Sequence, residues 1–197
     1  MMIFFKENLA FIAVPKTGST SIEATLAPYC SVSFDRPPKI KHMTHKRFNR
    51  FMRPWLAMEG VEGIKTIAVM REPISWLGSW YRYRGRAELD GHVNSTRGLT
   101  FDEFVEAFLA DGIRPAYAKL GSQAQQLSMK QGVIGIDHLF RYEEMGSLVK
   151  FLNERFKTSL SLEQYNVSPS QKITLSPDLA RNLRNQYPLD FETYESI

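Results

Sequence analysis

Apolar residues in this chain fall into two kinds of spacing. Three short runs, residues 9–14, 66–70 and 133–142, are apolar almost without interruption, as buried strands are; the third is expected to break at its glycine. Between them the spacing turns helical. In residues 143–156, Met145, Leu148, Val149, Leu152 and Phe156 recur at intervals of three and four. Thr100 followed by Glu103 has the form of a capping box ahead of Phe104, Phe108 and Leu109. Ser176-Pro177 opens a helix carrying Leu179 and Leu183, with the proline in the first turn, where it is tolerated. Strands alternating with helices predict an α/β fold, a parallel sheet covered on both faces. In such sheets ligands bind beyond the carboxyl ends of the strands, which directs attention to the residues after Val14 and Met70.

Composition narrows this only a little. The 197 residues are 43% hydrophobic and 23% charged, with no repeat or low-complexity tract, so one domain over residues 1–197 is expected. A net charge of +4 and a pI near 9.2 suit anionic ligands without requiring them. Cys30 is the only cysteine, which excludes an internal disulfide and a cysteine-based metal site and favours a reducing compartment. The N-terminal run Met1-Met2-Ile3-Phe4-Phe5 is broken by Lys6, Glu7 and Asn8, too early for a secretory signal. No stretch approaches the roughly 20 apolar residues of a membrane span. A soluble, cytoplasmic protein with no membrane association is expected; oligomeric state leaves no signal.

The first strand runs into Pro15-Lys16-Thr17-Gly18-Ser19-Thr20-Ser21 and then a helix with Ile22 and Leu26, ending at Pro28. A helix N-terminus offers unpaired N–H groups and the positive end of a dipole, which together attract anions. Gly18 allows close approach of the backbone. Thr17, Ser19, Thr20 and Ser21 bring hydroxyl donors, and Lys16 brings full charge. Any one of these residues alone reads as a capped helix beside a surface lysine; the combination reads as a phosphate site. It is not a Walker A sequence, because there the lysine follows the last glycine.

After the second strand comes Arg71-Glu72-Pro73, with Ser79 and Tyr81 further along a helix that Pro73 opens. Ser79 lies about two turns from the start, so its hydroxyl and the planar fork of Arg71 can converge on one anion. An Arg71–Glu72 pair with Ser79 facing a neighbouring helix is the plainer alternative.

The two segments, in this order and each at a strand end, resemble the donor-binding motifs of the sulfotransferases that use 3′-phosphoadenosine-5′-phosphosulfate (PAPS), in particular the Golgi carbohydrate sulfotransferases and their bacterial relatives. Residues 15–19 resemble the loop for the 5′-phosphosulfate. Arg71, Pro73, Ser79 and Tyr81 resemble the site for the 3′-phosphate. Looser likeness extends to Lys41-His42-Met43-Thr44, similar to the segment that supplies the base in uronyl O-sulfotransferases. It also covers the segment from Gln123 to Leu127, Arg141-Tyr142-Glu143, and Asp190-Phe191 with Tyr194. The resemblance implies a P-loop NTPase-like parallel sheet flanked by helices, PAPS as co-substrate and 3′-phosphoadenosine-5′-phosphate (PAP) as product. It implies Lys16 and His42 as catalytic residues, and Lys16, Thr17, Gly18, Ser19, Thr20, Ser21, Arg71 and Ser79 around the donor. The chain's size implies a minimal catalytic domain without a Golgi anchor, which leaves the acceptor open.

Of the four histidines, His138 falls in an apolar strand and reads as structural, and His92 lies in a solvated loop. His42 carries the family match, with His45 the runner-up and a carboxylate the remaining alternative. No ligand cluster for a metal is visible. Basic residues interleave with aromatics in residues 39–53 and 82–86, which suits a solvated face, an acidic acceptor or, least of the three, nucleic acid. The acceptor expected is a glycan or another small molecule bearing a hydroxyl. A P-loop kinase-like phosphotransferase and a non-catalytic module binding nucleotides or acidic glycans are the alternatives. The first would need a strand-end aspartate for Mg²⁺, which the sequence does not offer.

Overall fold

A computed structural model describes residues 1–130, 132–162 and 173–197. Its strands are β1 (Met2–Phe4), β2 (Leu9–Phe11), β3 (Val32–Ser33), β4 (Lys65–Met70), β5 (Ser128–Lys130), β6 (Val133–Ile134) and β7 (His138–Arg141). The helices are α1 (Ser19–Leu26), α2 (Pro38–Lys41), α3 (His45–Arg47), α4 (Arg53–Met58), α5 (Pro73–Arg84), α6 (Phe101–Leu109), α7 (Gln123–Leu127), α8 (Met145–Phe156), α9 (Pro177–Gln186) and α10 (Pro188–Glu195). A π-helical turn over Phe48–Met52 joins α3 to α4.

The central sheet has the order β3-β1-β2-β4-β7. The expectation of an all-parallel sheet is corrected here. Strands β2, β4 and β7 run parallel, whereas β1 pairs antiparallel with both β2 and β3. A turn at residues 5–8 folds β1 directly onto β2, and so short a link permits only the antiparallel pairing. The third apolar run does break at Gly135: β6 leaves the main sheet to pair with β5, and β7 alone joins β4.

Alternation along the strands sends side chains to two faces. Ile3, Ala10, Ile12, Val14, Ala68 and Met70 pack with Met43, Phe48, Leu56 and Leu127 on one side. Met2, Phe4, Leu9, Phe11, Ile67 and Val69 meet Ile22, Leu26, Leu148, Leu152 and Phe156 on the other. Both faces are therefore covered, which is why the strands read as unbroken apolar runs. A third cluster, Trp76, Leu77, Phe101, Phe104 and Phe108 with Leu183 and Phe191, secures α5 and α6 against the C-terminal helices. The capping box forms as expected, with Thr100 Oγ1 accepting from Glu103 N and Glu103 accepting from Thr100 N. Asp137 ties the starts of β4 and β7 together by accepting from Thr66 N, Thr66 Oγ1 and the Lys65 ammonium. Because β2, β4 and β7 are parallel and in register, Lys16, Arg71 and Tyr142 all follow the same edge of the sheet.

Candidate functional site

At that edge the chain leaves β2 through Pro15 and turns sharply. Lys16 and Gly18 both take left-handed backbone conformations, φ 68° and 74°, before α1 begins at Ser19. Thr17 is fully buried and its hydroxyl donates to Val14 O at 2.9 Å, closing the turn. That hydroxyl, expected to face a ligand, is engaged within the loop. Ser19 and Ser21 are buried in the first turn of α1 and Thr20 is exposed. From α5, Trp76 Nε1 donates to Pro15 O at 2.9 Å and so holds the loop from beneath.

The two sequence segments meet. Arg71 Nη1 reaches Lys16 O at 3.5 Å, and its guanidinium lies 4.4 Å from the centre of the Tyr142 ring. A Cβ on Gly18 would come within 3.3 Å of the same ring, so Tyr142 touches both segments. Arg71 Nε donates to Ser75 Oγ at 2.9 Å. Ser75, which the sequence did not single out, precedes the buried Ser79 by one turn of α5 and shares its face.

The Lys16 ammonium lies over the rings of Tyr83, 4.0 Å away, and Trp80, 5.7 Å away. Burial, and then the charges of Arg86, Arg71 and Arg82, push its pKa down to about 8. Three arginines around one half-buried lysine form a cationic cluster suited to an anion. Arg84 is turned elsewhere: it is buried and donates to the carbonyls of Ala116 and Tyr117.

His42 caps α2 and stands beside the end of β2. Its Nδ1 lies 2.8 Å from Ala13 O. A carbonyl only accepts, so Nδ1 carries the proton and the neutral ring keeps its lone pair on Nε2. Burial, aided by Lys41, holds its pKa below the ordinary 6.5, against the pull of Ala13 O and Glu23. Lys41 itself pairs with Glu23 at 2.8 Å. His45 is placed quite differently. It is 1% exposed, accepts from Asn49 Nδ2 at 3.0 Å, and packs where a Cβ on Gly135 would come within 2.5 Å of its ring. The runner-up histidine is therefore a core residue. His138 packs against Phe151 with ring centres 4.7 Å apart and planes tilted by 41°, and His92 is exposed and accepts from Asn94 N.

Two glutamines on α7 complete the site. Gln123 Oε1 accepts from Arg71 N at 2.9 Å while its Nε2 donates to Arg71 O at 2.7 Å. Gln126 Nε2 donates to Ala13 O at 3.1 Å and approaches His42 O at 3.4 Å. Glu143 accepts from Glu72 N and from the Tyr194 hydroxyl, so the C-terminal helix also braces the start of α5. Contacts of this kind, across 52 and 113 positions of sequence, leave no periodic trace by which they could have been read.

A strand-end loop entering a helix, an arginine following the neighbouring strand and a cluster of cations beside them make up an α/β domain with a surface suited to an anion. The chain belongs to the sulfotransferase family, whose family model matches residues 1–195. No curated protein and no solved structure matches it. Among the described residues no helix is long and apolar enough to cross a membrane.

Proposed function

We propose that this protein transfers a sulfuryl group from PAPS to an acceptor hydroxyl, through a P-loop-like donor site. The observation that carries the reading is the meeting of the two segments beyond the parallel strands: Arg71 Nη1 lies 3.5 Å from Lys16 O, and the Lys16 ammonium and the Arg86 guanidinium share the Tyr83 ring. Such a cluster of cations fits the two phosphate-bearing ends of PAPS. Ser19, Thr20 and Ser21, with the N–H groups of Thr17 and Gly18, would hold the 5′-phosphosulfate; Gly18 gives the loop its left-handed turn against the Tyr142 ring. Arg71 and Ser79 would hold the 3′-phosphate, and Ser75 keeps the guanidinium of Arg71 in place. PAPS supplies the activated sulfuryl group. Lys16 stabilises the charge that develops on the departing phosphate, and the loop dipoles act with it. His42 accepts the acceptor's proton on Nε2, the nitrogen left free by the bond to Ala13 O.

The exposed cations Lys39, Lys46, Arg47 and Arg50 flank His42 in sequence and support an acidic glycan as acceptor. A single cysteine supports a cytoplasmic location. The test is transfer from labelled PAPS to a panel of glycans, lipids and phenols, with products identified by mass spectrometry. Sulfated product formed in EDTA is expected. Phosphate transfer from ATP that requires Mg²⁺, with none from PAPS, would overturn the proposal.

A further inference from the structure

The five-residue helix α7 gives the hydrophobic core only Ala124 and Leu127, yet its polar side chains reach both halves of the site. Gln123 is fully buried and pairs its carboxamide with the N–H and C=O of Arg71, as another strand's peptide group would. Only a carboxamide offers donor and acceptor side by side; a carboxylate or an aliphatic chain would leave a buried backbone group unpaired. One turn on, Gln126 donates to Ala13 O, the same carbonyl that receives His42 Nδ1–H. Both lone pairs of that carbonyl are thereby engaged and its direction is set. The helix itself is anchored by Asp190, which accepts from Gln123 N at 2.9 Å and Ala124 N at 3.3 Å. Ser122 caps it by accepting from Gln125 N.

We infer that α7 is a positioning bracket: Gln126 sets the tautomer and orientation of His42, and Gln123 sets the strand end that aims Arg71. The inference rests on the roles proposed above for His42 and Arg71. It gives the two glutamines separable effects. Losing the Gln126 donor frees the Ala13 carbonyl to turn and releases the imidazole, which acts on the chemical step. Losing Gln123 loosens Arg71, which acts on binding of the 3′-phosphate.

The experiment compares Gln126→Met and Gln123→Met by steady-state kinetics, calorimetry with PAP, and ¹⁵N NMR of the histidine rings. Gln126→Met is expected to lower kcat by roughly tenfold to a hundredfold while the PAP affinity is kept. Its His42 ring should also gain the tautomer protonated on Nε2. Gln123→Met should weaken PAP by about tenfold or more and leave the His42 tautomer as it was. Should Gln123→Met fail to fold, Gln123→Asn keeps the carboxamide on a shorter arm and should likewise weaken PAP while leaving the His42 tautomer as it was. Variants that lose thermal stability but keep kcat, PAP affinity and the tautomer would reduce α7 to a structural prop and overturn the inference. Failure of the wild type to bind PAP or transfer sulfate would instead strike the proposed function, and the tautomer of Gln126→Met would still judge the link to His42.

Discussion

Lys16 holds a left-handed backbone conformation, φ 68°, that a lysine adopts only at a cost. Residues other than glycine in this region lose about 1 kcal/mol or more, and such strain persists where surrounding contacts impose it. Trp76 below and Arg71 beside the loop impose it here. Two variants separate the strain from the charge. Lys16→Ala keeps the strain and loses the ammonium; Lys16→Gly loses both. Urea unfolding should find the glycine variant more stable than the alanine variant by about 1 kcal/mol, with neither transferring sulfate at a useful rate. Equal stability would mean that the loop relaxes when the side chain is removed. His42 gives the second residue-scale prediction. If it is the base proposed above, its neutral form is the active one; burial lowers its pKa, so kcat should rise with pH through an apparent value below the ordinary 6.5. The reaction is then near its plateau at pH 7. His42→Ala should lower kcat by at least ~10²-fold and abolish that limb, which a pH–rate series would show. A limb that survives in His42→Ala would point to a carboxylate.

Elements with a strong local signal were legible in the sequence. Thr100 and Glu103 announced α6, Pro73 and Pro177 sit in the first turns of α5 and α9, and the apolar runs marked β2, β4 and β7. The strands β3 and β5 have two and three residues and no longer apolar run around them, too little for alternation to register, and β1 lies in the N-terminal apolar run that was weighed as a signal and not as a strand. Brevity also left α7 without a helical signal, so that residues 123–127 stood out only by their family likeness. What the glycine in the third run does was half legible: the break was expected, but not its use. At Gly135 the hairpin of β5 and β6 closes over the His45 ring, and an added Cβ would lie 2.7 Å from His45 Nδ1 and 2.8 Å from Met129 Cβ. The second contact lies next to backbone and cannot swing aside. Gly135→Ala should therefore destabilise the fold by about 1–3 kcal/mol, the usual cost of overpacking, measured as a fall in urea midpoint. No change in midpoint would show that the hairpin shifts freely, and with it the packing that keeps His45 out of the chemistry.

Across the whole molecule, the parallel strands gather at one edge what the sequence keeps apart. Lys16, Arg71 and Tyr142 each follow a strand, so the rule for ligand positions in open α/β sheets found two of the three from sequence alone. The third, Tyr142, was marked only by the family likeness of Arg141-Tyr142-Glu143, and its place at this edge needed the pairing of β4 with β7. The fold buries much of Lys16 and sets it among like charges; burial first, then the arginines, favour its neutral form and leave its pKa at about 8. An anion bound among these cations reverses that balance, since an opposite charge favours the ammonium. Binding of PAP must then be linked to proton uptake by Lys16. The sign follows directly: well below pH 8 the lysine is already charged and takes up little, whereas near pH 8 about half a proton should be absorbed per PAP bound. Affinity should decline as the pH rises further, because charging the lysine then opposes binding. Calorimetry at pH 8 in two buffers of different ionisation enthalpy reads the uptake as a difference in apparent heat. Wild type should show the difference and Lys16→Gln should lose it, while AMP, without the 3′-phosphate for Arg71, should bind more weakly to both. Equal heats for the wild type in both buffers would mean that the ammonium is charged before the anion arrives, and that the crowding of cations around Lys16 is relieved by solvent rather than by the donor.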